Sequence, residues 1–254
     1  MDQEDEHGIH SPQALNIDPE LFISFPMPQS FSAKSALSEI RSSFQLTANP
    51  ELAPAMKAYM KQIADYFGIP APQRRIIQKE IISHWKFVPL PELSPLLELL
   101  LAQPERELHY LAMEWLYQRK KEYKPDTIQL IEHFLTTTSW WDTVDFIAAR
   151  ILGTWAEKYP KEAKPIIRKY IKSPNFWLNR SAMLHQLFYR DKTDKDLLED
   201  CILPHISNKE FFLRKAIGWC LRSYAASNPE WVREFVNTHE LSPLSRKEAL
   251  KHLS

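Results

Sequence analysis

Glycine is nearly absent: the chain has four, Gly8, Gly68, Gly153 and Gly218, among 254 residues. Loops that cradle phosphates and turns that bind dinucleotides need clustered glycines, because backbone N–H groups reach a phosphate only where no Cβ stands in the way. Neither a P-loop nor a Rossmann fingerprint can be drawn here, and a glycine-rich hairpin is excluded as a DNA-gripping device. Cysteine is scarcer still, with only Cys201 and Cys220. Without close metal-ligand spacing or a secreted context, these two are expected to be reduced, buried thiols. The nine histidines form no H-E-x-x-H or Cys/His set, so neither a metal site nor a cofactor is expected. No apolar run approaches the roughly 20 residues that span a bilayer. The first residues also lack the charged-then-apolar layout of a secretory signal, and a cytoplasmic location is expected.

What is present is ordinary in amount and uneven in placement. At 44% hydrophobic and 25% charged residues, the chain can bury a substantial core. It carries 32 basic and 32 acidic residues, for a formal charge of zero. Six of the acids (Asp2, Glu4, Asp5, Glu6, Asp18, Glu20) lie in residues 1–33, which hold no Lys or Arg. Residues 34–254 therefore carry 32 bases against 26 acids, a surplus of +6. A surplus of that sign suits a polyanionic partner, and the acidic head masks it in whole-chain statistics.

Residues 1–30, acidic and containing proline, read as an N-terminal tail, and residues 31–254 read as a single helical domain. Many of the 19 prolines stand where helices begin. Asn49-Pro50-Glu51, Ser173-Pro174 and Asn228-Pro229-Glu230 each offer a cap followed by Pro at the first helical position. Ser139 with Asp142, and Ser245 with Glu248, have capping-box spacing. No run of alternating β-branched residues between hairpin turns is found.

The helices repeat. "LHYLAMEWL" (108–116), "VDFIAARIL" (144–152), "NRSAMLHQL" (179–187) and "LRKAIGWCL" (213–221) align with start-to-start spacings of 36, 35 and 34 residues. Two helices and two short loops fit that length, and such hairpins bury their apolar faces only by stacking on neighbours. The expected fold is all-α, a right-handed α-solenoid of HEAT-like helical hairpin repeats. The alignment puts His109, Asp145, Arg180 and Arg214 at one register point, where they would line a common groove.

One helix calls for more than packing. In "SWWDTVDFIAARILG" (139–153), the residues Trp140, Val144, Ile147, Ile151 and Trp155 form the buried stripe. At about 100° per residue, Trp141 and Asp145 share a different face. Asp142 is explained by its place in the capping box; Asp145 lies past the first turn and is not. A carboxylate beside an exposed indole, facing a groove that also holds Arg180, suits a substrate with phosphates flanking a positive centre. Alkylated DNA is such a substrate.

At these residues the chain resembles the AlkD-type DNA alkylation repair glycosylases, a HEAT-like repeat family. The likeness runs through "MKAYMK" (56–61), "FGIPAPQRR" (67–75), "SWWDTVD" (139–145), "FWLNRSA" (176–182), "RKAIGWCLRSYA" (214–225) and "LSRKEAL" (244–250). It implies that Asp145 is the catalytic aspartate, that Trp141, Trp219 and Tyr59 are the aromatics of the site, and that Arg180 contacts the DNA backbone. The implied activity is excision of N3- and N7-alkylated purines from double-stranded DNA without drawing the base into a pocket. Lys57, Lys61, Arg74, Arg214, Lys215 and Arg222 are the candidates for further backbone contacts. Nothing demands more than a monomer. Pro70 and Ala71 stand where polar residues reaching the duplex are expected in the family. The competing expectations are a non-catalytic HEAT-like scaffold that binds nucleic acid or protein, and an RNA-directed enzyme on the same scaffold.

Overall fold

Every regular element among the described residues, 31–253 of a computed structural model, is helical. The tail expected over residues 1–30 lies outside them. Three helices lead in: α1 (Ala33–Leu46), the short α2 (Ala53–Tyr59) and α3 (Ala71–His84). Then come α4 (Leu90–Leu101), α5 (Arg106–Gln118), α6 (Thr127–Thr136), α7 (Trp141–Phe146) and α8 (Gly153–Lys158). After them follow α9 (Pro160–Ile171), α10 (Phe176–Leu184), α11 (Lys195–Ile202), α12 (Phe211–Ala225), α13 (Pro229–Thr238) and α14 (Pro243–Leu250).

The repeat read from the sequence is the repeat of the fold. Its four aligned segments fall on α5, on α7 and its continuation, on α10 and on α12, and the intervening α6, α9 and α11 are the first helices of the hairpins. The second helices pack in succession, α5 on α7, α7 on α10, α10 on α12 and α12 on α14. Apolar side chains drive that stacking. In α4 the leucines Leu90, Leu93, Leu96, Leu97, Leu100 and Leu101 are all buried, and Trp85, Trp115 and Trp155 are at most 1% exposed. Each such side chain contributes roughly 1.5–3 kcal/mol by leaving water.

α7 and α8 are one continuous helix from Trp141 to Lys158, joined by a π-helical stretch over Ile147–Leu152. Val144, Ile147, Ile151 and Trp155 form the expected buried stripe. Trp140 packs ahead of the helix instead, against Trp177 and Phe212 at ring separations of 5.7 and 5.4 Å. Gly153 follows the π stretch, and a Cβ there would lie 2.4 Å from the His185 carbonyl oxygen. The helix therefore approaches the end of α10 as closely as backbone atoms permit.

Several expected caps are corrected. Ser139 does not cap α7: Trp140 is the N-cap, and the Ser139 hydroxyl donates back to Leu135 O at 2.6 Å. Ser173-Pro174 does not open a helix, because Asn175 caps α10 by accepting from Trp177 N at 3.0 Å. Ser242 rather than Ser245 caps α14, and Glu248 points elsewhere. Asn49-Pro50 makes a turn ahead of α2, whereas Asn228 and Pro229 hold the N-cap and first position of α13 as expected, without a side-chain capping bond from Asn228.

Candidate active site

Trp141 opens α7, and Asp145 follows it by one turn, so both side chains leave the helix on neighbouring ground. Tyr59, the last residue of α2 and 72% exposed, meets the Trp141 ring edge-on at 6.4 Å. Asp145 occupies the same repeat position as Arg180 one hairpin later. Stacking α10 on α7 therefore brings the two face to face. Arg180 Nε donates to Asp145 Oδ1 at 2.6 Å and Nη2 to Oδ2 at 2.7 Å, while Nη1 donates to the Phe212 carbonyl. The Asp145 side chain is 21% exposed and that of Arg180 only 2%.

This geometry revises two expectations. The carboxylate does not stand unpaired, and the guanidinium does not stand free to meet a phosphate; each is the other's partner. Burial pushes the Asp145 carboxyl above its ordinary range, against the hydrogen bonds and charge of Arg180, which hold it down. The planar fork fixes the direction of the carboxylate as well as its charge.

On the far side of Arg180 lies Trp219 of α12, its ring centroid 5.2 Å from the guanidinium carbon. Trp219 is half-buried, and its indole Nε1 donates to Glu248 Oε2 at 3.1 Å. Glu248 also accepts from Lys215 and Arg222, each at 2.7 Å. Burial alone would raise its carboxyl, but these three donors and two charges hold it below the usual carboxylate range.

Asp142 is not a capping carboxylate. It accepts from Arg106 Nε and Nη2 at 2.9 and 2.5 Å and from the Tyr110 hydroxyl at 2.6 Å. Arg106 is fully buried and also donates to Thr138 O at 2.7 Å and Thr143 Oγ1 at 2.9 Å. His109, at the register point of Asp145, does not line a groove. It is 1% exposed, its Nε2 pairs with Gln103 O at 2.7 Å, and burial depresses its pKa to about 4. Arg214, at the same point in α12, is half-buried. Of the four residues at that register point, the fold brings only Asp145 and Arg180 into direct contact.

Below Tyr59 and Trp141 opens a cleft of about 680 Å³ whose wall includes Tyr66, Arg74, Tyr110 and Asp142; Asp145 lies outside it. Arg74, expected on the DNA-facing surface, is instead buried, with its guanidinium 4.2 Å from the Tyr110 ring centroid and 3.7 Å from Glu114. Lys57 pairs with Asp65 at 2.6 Å, Lys61 is exposed, and Pro70 and Ala71 are exposed at the start of α3. Sequence reasoning missed Arg106, Tyr110 and Glu107, the last of which accepts N–H groups from Phe67, Gly68 and Ile69 at 3.1, 3.0 and 3.2 Å. A usable signal existed for one pair. Arg106 and Asp142 are opposite charges 36 residues apart, the length of one repeat.

A profile described as "DNA alkylation repair enzyme" matches residues 40–253. Among solved structures, the chain is similar to a predicted DNA alkylation repair enzyme from Enterococcus faecalis, with 34% identity and a TM-score of 0.77 over 82% of this chain and 97% of that one. It shares its fold with smu.31 from Streptococcus mutans UA159, at 16% identity and a TM-score of 0.60 over 87% and 99% of the two chains. The same holds for AlkD2 from Streptococcus mutans, at 15% identity and a TM-score of 0.60 over 87% and 99%. A search of curated proteins finds no match.

Proposed function

Because the chain belongs to the DNA alkylation repair enzyme family, and DNA is thereby its partner, we propose that it is a DNA glycosylase acting on positively charged N3- and N7-alkylated purines, such as 3-methyladenine and 7-methylguanine, in duplex DNA. The observation that carries this reading is a carboxylate fixed by a guanidinium fork, Asp145 on Arg180, with Trp219 over the guanidinium and Trp141 one turn before Asp145 on the same helix.

An alkylated purine with a full positive charge is already a good leaving group, so no strong general acid is required. What the reaction lacks in water is a negative charge fixed beside the sugar as it becomes oxocarbenium-like, and an oriented nucleophilic water. Asp145, kept ionised by Arg180, supplies the charge and accepts a hydrogen bond from the water. Water attacks C1′, the N-glycosidic bond breaks with its electron pair neutralising the cationic purine, and the proton shed by the attacking water passes by way of the Asp145 carboxylate to bulk solvent. Trp141 and Trp219 flank the sugar and exclude bulk solvent, and Tyr59 props the Trp141 ring. The base stays outside any pocket.

Arg180 serves as the carboxylate's holder, and Arg74 belongs to the interior. Phosphate contacts fall to Lys57, Lys61 and Arg214, while Lys215 and Arg222, expected beside them, are paired with Glu248. All of these residues come from one chain, so a monomer suffices.

The test is release of 7-methylguanine from methylated duplex DNA. Asp145→Asn should slow single-turnover release about 10²–10³-fold, the cost typical of removing one electrostatic stabiliser, while duplex binding is retained. Release no faster than the spontaneous rate by the wild type would leave a DNA-binding scaffold as the function. Faster release from methylated RNA than from DNA would redirect the assignment.

A further inference from the structure

Glu248 has no part in the chemistry proposed above, yet it holds three of the side chains around it. Its Oε2 accepts from Trp219 Nε1 at 3.1 Å and from Arg222 Nη1 at 2.7 Å, and its Oε1 accepts from Lys215 Nζ at 2.7 Å. Trp219 is thereby pinned twice. Arg180 lies over its face at 5.2 Å, and Glu248 takes the N–H at its edge. An indole held by face and edge has little freedom to turn, and its distance from Asp145 is set by the same two contacts.

The backbone is shaped to bring Glu248 there. A Cβ built on Gly218 would lie 2.3 Å from the Glu248 Cβ and 2.9 Å from the Ser245 carbonyl oxygen. Only glycine lets α14 come this close to α12, one residue before Trp219. The Ser245 hydroxyl locks the approach by donating to Arg214 O at 2.9 Å. The Glu248 carboxylate is ionised at neutral pH, and its side chain is 15% exposed.

The same carboxylate sits between two cations that would otherwise face a polyanion. Lys215 and Arg222 are each 26% exposed at the side chain and both are paired with Glu248, whose single charge offsets one of the two. A residue kept only for DNA affinity would not be an acid at this point, since it lowers the local positive charge. We propose that Glu248 is a positioning residue: it fixes Trp219 against the Arg180–Asp145 pair and, in doing so, withholds Lys215 and Arg222 from the phosphates. The role of Trp219 in that sentence rests on the glycosylase reading.

Glu248→Gln tests it, because an amide keeps the size and loses the charge. Three measurements are made on the full chain. The indole N–H resonance of Trp219, identified by its loss in Trp219→Phe, should shift or broaden. Affinity for unmodified duplex DNA should rise, and the salt slope of binding should steepen by about one unit for each cation released to a phosphate. Single-turnover release of 7-methylguanine should fall roughly tenfold to a hundredfold, the size of a positioning error of about 1 Å. In a Trp219→Phe background the substitution should slow release little further. A shape-only role for Glu248 predicts weaker binding and weaker activity together.

An unchanged Trp219 resonance, or an unchanged duplex affinity, overturns the proposal. If Glu248→Gln fails to fold, Glu248→Asp replaces it. That variant keeps the charge but falls one methylene short, so it should disturb the Trp219 resonance with a smaller change in salt slope. If the wild type releases no base, the glycosylase reading falls by itself, and the resonance and binding measurements still decide the role of Glu248.

Discussion

Arg180 and Asp145 form a two-point pair across neighbouring repeats, Nε to Oδ1 at 2.6 Å and Nη2 to Oδ2 at 2.7 Å. The pair answers why a carboxylate stands past the first turn of α7. Burial raises the Asp145 carboxyl while Arg180 opposes that rise. On the proposed glycosylase reading the ionised form acts, so base release should fall as pH drops through the folded pKa, and that fall should begin above the ordinary aspartate value of about 3.9. In Arg180→Met the opposition is gone and the acid limb should move to still higher pH. Single-turnover release across pH, corrected for spontaneous loss, reads this directly; identical acid limbs in the two proteins would refute it.

Arg106 is the structural counterpart of Arg180. Fully buried, it joins Asp142, Thr138 O and Thr143 of the next hairpin. Arg106→Met leaves the Asp142 carboxylate with one neutral donor, Tyr110. Breaking a buried ion pair from one side costs about 3–5 kcal/mol. A urea midpoint reduced by that amount is expected, and a loss under about 1 kcal/mol would show that Asp142 finds water or another donor.

How much of this was legible in the sequence depends on period. The hairpins could be read because their apolar stripe recurs every 34–36 residues, and of the stripe read on α7 four members, Val144, Ile147, Ile151 and Trp155, held, while Trp140 fell ahead of the helix. The caps failed where a side chain had a better partner across the stack. Asp142 and Glu248 both sit three residues after a serine, yet cations on neighbouring helices draw them away from the backbone N–H groups. His109 misled for a related reason. Its register point is shared with Asp145, but the stacked neighbours differ, and Gln103 O with Arg106 made it a core residue. A linear pattern shows which face a residue occupies, and the partner comes from another repeat.

Two buried histidines make the fold acid-sensitive. Burial depresses His109 and His185 from 6.5 to about 4, a difference of 6.5 − 4, or about 2.5 units each. Above pH 6.5 both are neutral, folded or unfolded, and contribute nothing. Below it the unfolded chain takes up the proton first, so stability falls as pH drops from about 6.5 to about 4, by up to roughly 3 kcal/mol per histidine at 1.36 kcal/mol per unit. Urea unfolding at pH 7, 5.5 and 4.5 measures the slope. His185→Gln, whose amide can still donate to Ala182 O, should flatten it; a slope unaltered by the substitution would place the sensitivity elsewhere.

Gly153→Ala should couple stability to chemistry. The new methyl would lie 2.4 Å from the His185 carbonyl oxygen, a backbone atom that cannot swing aside, so the helix of Trp141–Lys158 and the C-terminal end of α10 must part. Overpacking of this kind costs about 1–3 kcal/mol. Asp145 and Arg180 lie on these same two helices, and their fork tolerates little displacement, because a hydrogen bond lengthened well past 3.2 Å loses most of its strength. Base release should therefore fall further than the fraction folded accounts for. Thr154→Ala, next along the helix and bonded only to Arg150 O of its own helix, serves as the control and should change stability by no more than about 0.5 kcal/mol. If Gly153→Ala lowered stability yet left single-turnover release on folded protein intact, the close contact of the two helices would matter for folding alone.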